Sequence, residues 1–206
     1  MASNLAPHLR LMLVTDDRLV AGRDLLNLAR SAVRGGVTSV QLRLKQASPR
    51  ELLALARTLR EALAVPVLVN DRPDVAAAAG TGVHLGPDDL PVDLARRILP
   101  LGTILGASAG SLEEAERVGA ADYWGVGPWR STVTKHDAGA ALGAEGFRRI
   151  VVLASGRPCL AIGGVRPQDV PAVLAAGGAG VAVVSGILGV EDVERAAREY
   201  AERLGG

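Results

Sequence analysis

The chain has 206 residues, 49% of them hydrophobic, with a formal net charge of +1. That length fits one domain with a sizeable core, and no apolar run reaches the roughly 18 residues that a membrane helix needs. Lys and Arg alternate with acidic neighbours and aromatics make up only 2%, which argues against a nucleic-acid partner. A single Cys159 and an N-terminus without a continuous apolar leader point to a reducing cytoplasm.

Short aliphatic runs alternate along the chain with segments of helical period, and Gly, Pro, Asp or Asn stands at the joins. Strands are expected at residues 11–15, 37–43, 67–69, 82–85, 104–107, 122–126, 158–162 and 179–184. Helices are expected at 24–34, 49–63, 73–79, 91–99, 111–119, 143–154, 167–176 and 192–203. Ser48 with Glu51 and Ser111 with Glu114 have the spacing of helix caps. Pro49, Pro73 and Pro167 suit first helical positions. Gly35, Gly119 and Gly177 suit helix ends. Eight βα repeats in this length favour a single-domain (β/α)8 TIM barrel spanning residues 1–206 over an open doubly wound sheet.

In such a barrel every strand ends at one rim, and polar residues follow nearly every apolar run. Thr15 and Asp16 follow the first; Gln41, Arg43 and Lys45 belong to the second; Asn70, Asp71 and Arg72 follow the third. Asp88 and Asp89 follow the fourth strand, which contains His84, and Ser108 follows the fifth. Thr132, Thr134 and Lys135 follow the sixth, Gly163 and Gly164 the seventh, and Ser185 the eighth. Any one of them reads equally well as a turn or cap residue. Their recurrence after successive strands points to a shared mouth.

Gln41, Arg43 and Lys45 alternate with Leu42 and Leu44, so on a strand they would share one side and form an anion site. A solvated strand edge is the alternative, and burial inside a barrel argues against it. Asp71 and Asp89 offer hard oxygen ligands of the kind that suit Mg²⁺. His84 reads equally as a packing residue or a catalytic one. The glycines after strand seven and the Val184-Ser185 pair after strand eight lie where barrels commonly hold phosphate through main-chain N–H groups. The long polar connection 127–143 is expected to be a lid.

Several segments then match one family in order. They are Val14-Thr15-Asp16, QLRLK at 41–45, VNDRPDVA at 69–76, GVHLGPDDLP at 82–91 and ILGASA at 104–109. They continue with GVGPWRSTVTKHDAG at 125–139, AIGGV at 161–165 and GVAVVSGIL at 180–188. On these the chain resembles the thiamine-phosphate synthase family over nearly its whole length. The resemblance implies a Mg²⁺-assisted transferase that joins a hydroxymethylpyrimidine diphosphate to a hydroxyethylthiazole phosphate by a dissociative substitution, releasing diphosphate. By similarity Gln41, Arg43, Lys45 and Asn70 hold the pyrimidine diphosphate, and Asp71 and Asp89 hold the metal. Ser108 and Lys135 meet the leaving diphosphate, and Thr132 and Thr134 meet the thiazole phosphate. Gly164, Val184 and Ser185 bind that same phosphate. Charge stabilisation by Arg43, Lys45, Ser108 and Lys135 is the implied catalytic contribution.

The chain departs from the family pattern at three places. Trp129-Arg130-Ser131 replaces an aliphatic, aromatic and Pro triplet, Leu44 replaces an acidic residue, and Met12 stands where an aromatic is common. Two other readings remain at this point: a thiazole tautomerase of the same superfamily, and a non-catalytic regulator that senses a phosphorylated metabolite. Assembly into a homo-oligomer stays open.

Overall fold

The computed structural model describes residues 5–131 and 140–205. Eight parallel strands close into a barrel in sequence order: β1 (Leu11–Val14), β2 (Ser39–Leu42), β3 (Val67–Asn70), β4 (Gly82–Leu85), β5 (Leu105–Ala109), β6 (Tyr123–Val126), β7 (Cys159–Ile162) and β8 (Gly180–Val183). The last pairs back onto the first, with Leu11 opposite Val181 and Leu13 opposite Val183. Each expected strand is present, with bounds within two residues of the expected ones.

Ten helices are described. They are α1 (Asp17–Val20), α2 (Leu25–Arg34), α3 (Pro49–Ala62), α4 (Pro73–Ala79), α5 (Val92–Ile98), α6 (Leu112–Arg117), α7 (Gly143–Leu153), α8 (Val170–Ala175), α9 (Ser185–Leu188) and α10 (Val193–Arg203). The caps read from sequence operate. Ser48 and Glu51 form a reciprocal capping box on α3, and the Ser111 hydroxyl accepts the Glu114 N–H at the start of α6. Gly80 ends α4 in the left-handed region, at φ 68°, where a residue without Cβ is least strained. Helices α1 and α9 and a 3₁₀ turn at Ala6–Leu9 are additions to the expected pattern. Each has four residues, too few to show a period.

Parallel strands alternate side chains between two faces, and the alternation here divides the core in two. Outward residues such as Leu13, Leu42, Val69, Val83, Trp124 and Val183 pack under the helices in one continuous cluster. Inward residues form a second, smaller one of Met12, Val14, Leu68, Tyr123, Leu160 and Ala182. The register carries the inward layer around the ring, with Met12 opposite Ser39, Gln41 opposite Leu68, His84 opposite Gly106 and Gly106 opposite Tyr123. Glycine at 106 is required by that ring, because a Cβ there would overlap the Tyr123 phenol. Among the described residues no helix is long and apolar enough to cross a membrane.

Candidate active site

The C-terminal ends of the strands open into one cavity of about 1290 Å³. It is lined by Gln41, Arg43, Lys45, Asn70, Asp71, Asp89, Ser108, Gly164, Val184 and Ser185. These sequence-derived site residues therefore meet at one mouth, whereas Thr15, Asp16 and Arg72 do not line it. Thr132, Thr134 and Lys135 lie outside the described residues. A smaller polar cleft of about 450 Å³, between α2 and the segment leading into α10, has none of these residues in its lining.

The Gln41, Arg43 and Lys45 trio is assembled differently from the expectation of one strand face. Strand β2 stops at Leu42, so only Gln41 points inward from the strand, and a loop delivers the two cations. That loop is tied down by the residues after β1. Thr15 Oγ1 accepts the Arg43 N–H at 2.8 Å and donates to the Arg43 carbonyl at 3.1 Å. The Asp17 carboxylate accepts the N–H groups of Lys45 at 2.9 Å and Gln46 at 3.0 Å. Asp16 lies 3.6 Å from the Arg43 guanidinium and caps α1. The Thr-Asp-Asp run thus holds the basic loop in place. The sequence marked Thr15 and Asp16 as rim residues but left Asp17, the main anchor of Lys45, unmarked.

Asp71 follows β3 with φ 65°, one of two non-glycine residues with positive φ among those described. Asp tolerates this region better than most residues. Its N–H donates to the His84 carbonyl at 2.8 Å. Burial first, and then the nearby Asp89 carboxylate, push the Asp71 carboxyl up to about 6; Lys45 and Arg43 oppose that shift. Asp89 is oriented by the Gly86 N–H, which donates to Oδ2 at 2.6 Å. Two acids and two cations from three different loops therefore share one half-buried space. Among the described residues no group of three or more His, Cys, Asp or Glu side chains forms a self-contained metal cage.

On the opposite wall Gly163 and Gly164 take φ 87° and 67°. A Cβ on Gly163 would lie 2.7 Å from the Pro128 side chain, so glycine lets the two loops close on one another. The first turn of α9 starts at Ser185, and its leading N–H groups have no helical acceptor of their own.

The Trp129-Arg130-Ser131 departure has a structural explanation. Trp129 is 5% exposed and meets the Phe147 ring edge-on at 5.6 Å between centroids, so it belongs to the helix-side core. Arg130 makes a two-pronged ion pair with Asp169, whose carboxylate also accepts the Arg166 N–H at 2.9 Å. This guanidinium holds the Asp169 carboxyl below its ordinary value. The root of the expected lid is thus bolted to the segment preceding α8.

His84, ambiguous in the sequence, faces inward beneath the mouth, 7% exposed. Its Nδ1 lies 2.9 Å from the Tyr123 hydroxyl and its Nε2 lies 3.1 Å from Ser108 Oγ. Tyr123, fully buried, carried no functional signal in the sequence beyond its place in a strand.

The described architecture has relatives of known structure. Thiamine phosphate pyrophosphorylase from Pyrococcus furiosus superposes with a TM-score of 0.87 at 39% identity, over 98% of each chain. A 3-hexulose-6-phosphate synthase, 17% identical with a TM-score of 0.66, shares the fold alone. In sequence, a thiamine-phosphate synthase of Azorhizobium caulinodans is 49% identical over 93% of this chain and 94% of its own. One from Moorella thermoacetica is 43% identical over 95% and 96%. Residues 11–187 match the family model described as thiamine monophosphate synthase. With the barrel, the converging rim residues and these matches in agreement, the chain belongs to the thiamine monophosphate synthase family.

Proposed function

We propose that this single-domain chain catalyses the family reaction: coupling of a hydroxymethylpyrimidine diphosphate to a hydroxyethylthiazole phosphate, giving thiamine phosphate and free diphosphate. The observation that carries the reading is the clustering of Arg43, Lys45, Asp71 and Asp89 around one cavity. A dissociative departure of diphosphate concentrates negative charge on the leaving group, and oriented cations stabilise it as it develops.

Within this reading Arg43 and Lys45, fixed by Thr15, Asp16 and Asp17, bind the diphosphate oxygens. Gln41 and Asn70 hold the pyrimidine end, and Ser108 donates to the leaving group. Lys135 supplies a further cation there. Gly164, Val184 and Ser185 cradle the thiazole phosphate through the main chain, joined by Thr132 and Thr134. No protein nucleophile is required, since the thiazole nitrogen attacks the pyrimidine-methyl cation.

Asp71 and Asp89 fit a resident Mg²⁺. They present only hard oxygen donors, and burial together with the neighbouring Asp89 carboxylate pushes the Asp71 carboxyl up, a cost that a bound cation would relieve. Two carboxylates leave further coordination positions for phosphate oxygens and water. When bound, the ion supplies charge stabilisation to the departing diphosphate. The residues' own task is to hold two carboxylates together at the edge of the anion site, which the left-handed backbone at Asp71 and the Gly86 N–H on Asp89 accomplish.

The test is to combine the purified protein with the two phosphorylated rings, with Mg²⁺ or with EDTA, and to measure thiamine phosphate and diphosphate. Stoichiometric formation of both, lost with EDTA and restored by Mg²⁺, is expected. Lys135→Ala and Asp71→Ala are each expected to reduce turnover by at least ~100-fold while leaving the circular dichroism spectrum unchanged. Aromatisation of a thiazole carboxylate alone, without coupling, would overturn the reading in favour of a tautomerase.

A further inference from the structure

A chain of polar groups runs along the inside of the barrel at the site, connecting side chains on β6, β4 and β5. The Tyr123 hydroxyl on β6 lies 2.9 Å from His84 Nδ1 on β4. His84 Nε2 lies 3.1 Å from Ser108 Oγ on β5. Ser108 and His84 both line the cavity, and Tyr123 is fully buried behind them.

The surrounding sequence makes room for this arrangement. A Cβ on Gly106 would overlap the Tyr123 ring, and one on Gly125 would lie 3.1 Å from His84 Cε1. Two inward glycines therefore leave space for two rings in a core where aliphatic side chains would otherwise fill the volume. Burial pushes the Tyr123 hydroxyl strongly upward, so it stays protonated.

Hydrogen-bond inventory then fixes the direction of the chain. The single Tyr123 proton can go to His84 Nδ1 at 2.9 Å or to the Met12 thioether at 3.9 Å. The imidazole nitrogen is nearer and the much better acceptor. A proton accepted at Nδ1 places the neutral ring's own proton on Nε2, which donates to Ser108 Oγ. The Ser108 proton is then free to point into the cavity. The Met12 thioether is also met by the Gln41 amide, at 3.7 Å, which leaves His84 as the open acceptor for Tyr123, and each donation polarises the next.

We propose that Tyr123 and His84 are positioning residues that turn the Ser108 hydroxyl into a donor directed at anionic leaving-group oxygens. The proposal rests on the synthase reading for the identity of the anion, but the direction of the relay does not depend on it. With the opposite tautomer, Ser108 would donate to His84 and present lone pairs to a negative ligand, the wrong polarity for the site.

Two measurements on the intact protein decide it. Long-range ¹⁵N–¹H correlation of histidine-labelled protein at pH 7.5 is expected to show His84 with its proton on Nε2, and Tyr123→Phe is expected to disturb that state. A wild-type proton on Nδ1, or on both nitrogens, overturns the relay whether or not the protein couples the two rings. The second measurement is a kinetic cycle with Tyr123→Phe, Ser108→Ala and the double variant. Tyr123→Phe is expected to lower kcat ~10-fold with KM for the thiazole phosphate unchanged. The double variant should match Ser108→Ala within about twofold, because Tyr123 acts through Ser108. Independent, multiplying losses would overturn the relay, as would a Tyr123→Phe enzyme with wild-type kcat. A wild-type protein that does not couple the rings sinks the synthase reading instead, leaving the tautomer to judge the relay.

Discussion

Asp71 concentrates several properties that rarely coincide in a purely structural residue. It is half-buried, adopts φ 65° and faces a second carboxylate that helps push it up to about 6 from 3.8. Between those two values the folded chain holds a proton that the unfolded chain has released, so stability falls as pH rises from about 4 to about 6. Above that window the ionised pair weakens the metal-free fold. Asp71→Asn should therefore raise Tm in EDTA at pH 8 and give no gain below pH 4. Discounted for solvent screening, the expected effect is about 1 kcal/mol, or roughly 2–4 °C, read by calorimetry across the pH range. If Asp71 holds Mg²⁺ as proposed, the ion competes there with protons, so titration calorimetry should show tighter Mg²⁺ binding at pH 7.5 than at pH 5.5. Cys159, by contrast, is buried and its thiol is pushed up to about 12 by desolvation, which makes it an unreactive core residue.

At the scale of elements, the loops do as much as the strands. The basic trio looked like one strand face because Gln, Arg and Lys alternate with Leu, yet β2 ends after Leu42 and side chains from another loop hold Arg43 and Lys45. Alternation in sequence marks a side; it does not say where pairing stops. Asp17→Ala should free the Lys45 and Gln46 N–H groups and raise KM for the pyrimidine diphosphate ~10-fold, with a Tm change below that of any core variant. Trp129 shows the reverse case. It stands within the expected lid but packs on Phe147, and Trp129→Ala should cost about 3–5 kcal/mol in denaturant unfolding. Gly106→Ala should destabilise by about 3 kcal/mol through its clash with Tyr123, and adding Tyr123→Leu should recover part of that loss.

For the whole molecule, closure is what turns eight short βα repeats into one pocket. Every strand described has only four or five residues, so no pair of them would be stable alone, and the seam between β8 and β1 has to form. Gly180 lies there, where a Cβ would overlap the carbonyls of Leu9 and Arg10. Gly180→Ala should therefore lower Tm by roughly 6–12 °C for an expected loss of about 3 kcal/mol, with Mg²⁺-dependent turnover lost in the same transition. Persistence of activity after the seam has melted, followed by exchange at the β1 amides, would show that closure is not required. The sequence by itself determined the strands, most helices, their caps and the barrel class, because these follow from periodicity and from turn chemistry acting over a few residues. It also marked Asp71, Asp89, Arg43 and Lys45 by their places after strands. Only the tertiary structure decided that Asp17 anchors the basic loop, that Arg130 is bound to Asp169, and that His84 links Tyr123 to Ser108. Those contacts join residues 24 to 39 positions apart in sequence, a distance over which local patterning carries no signal and only closure of the ring brings the groups together.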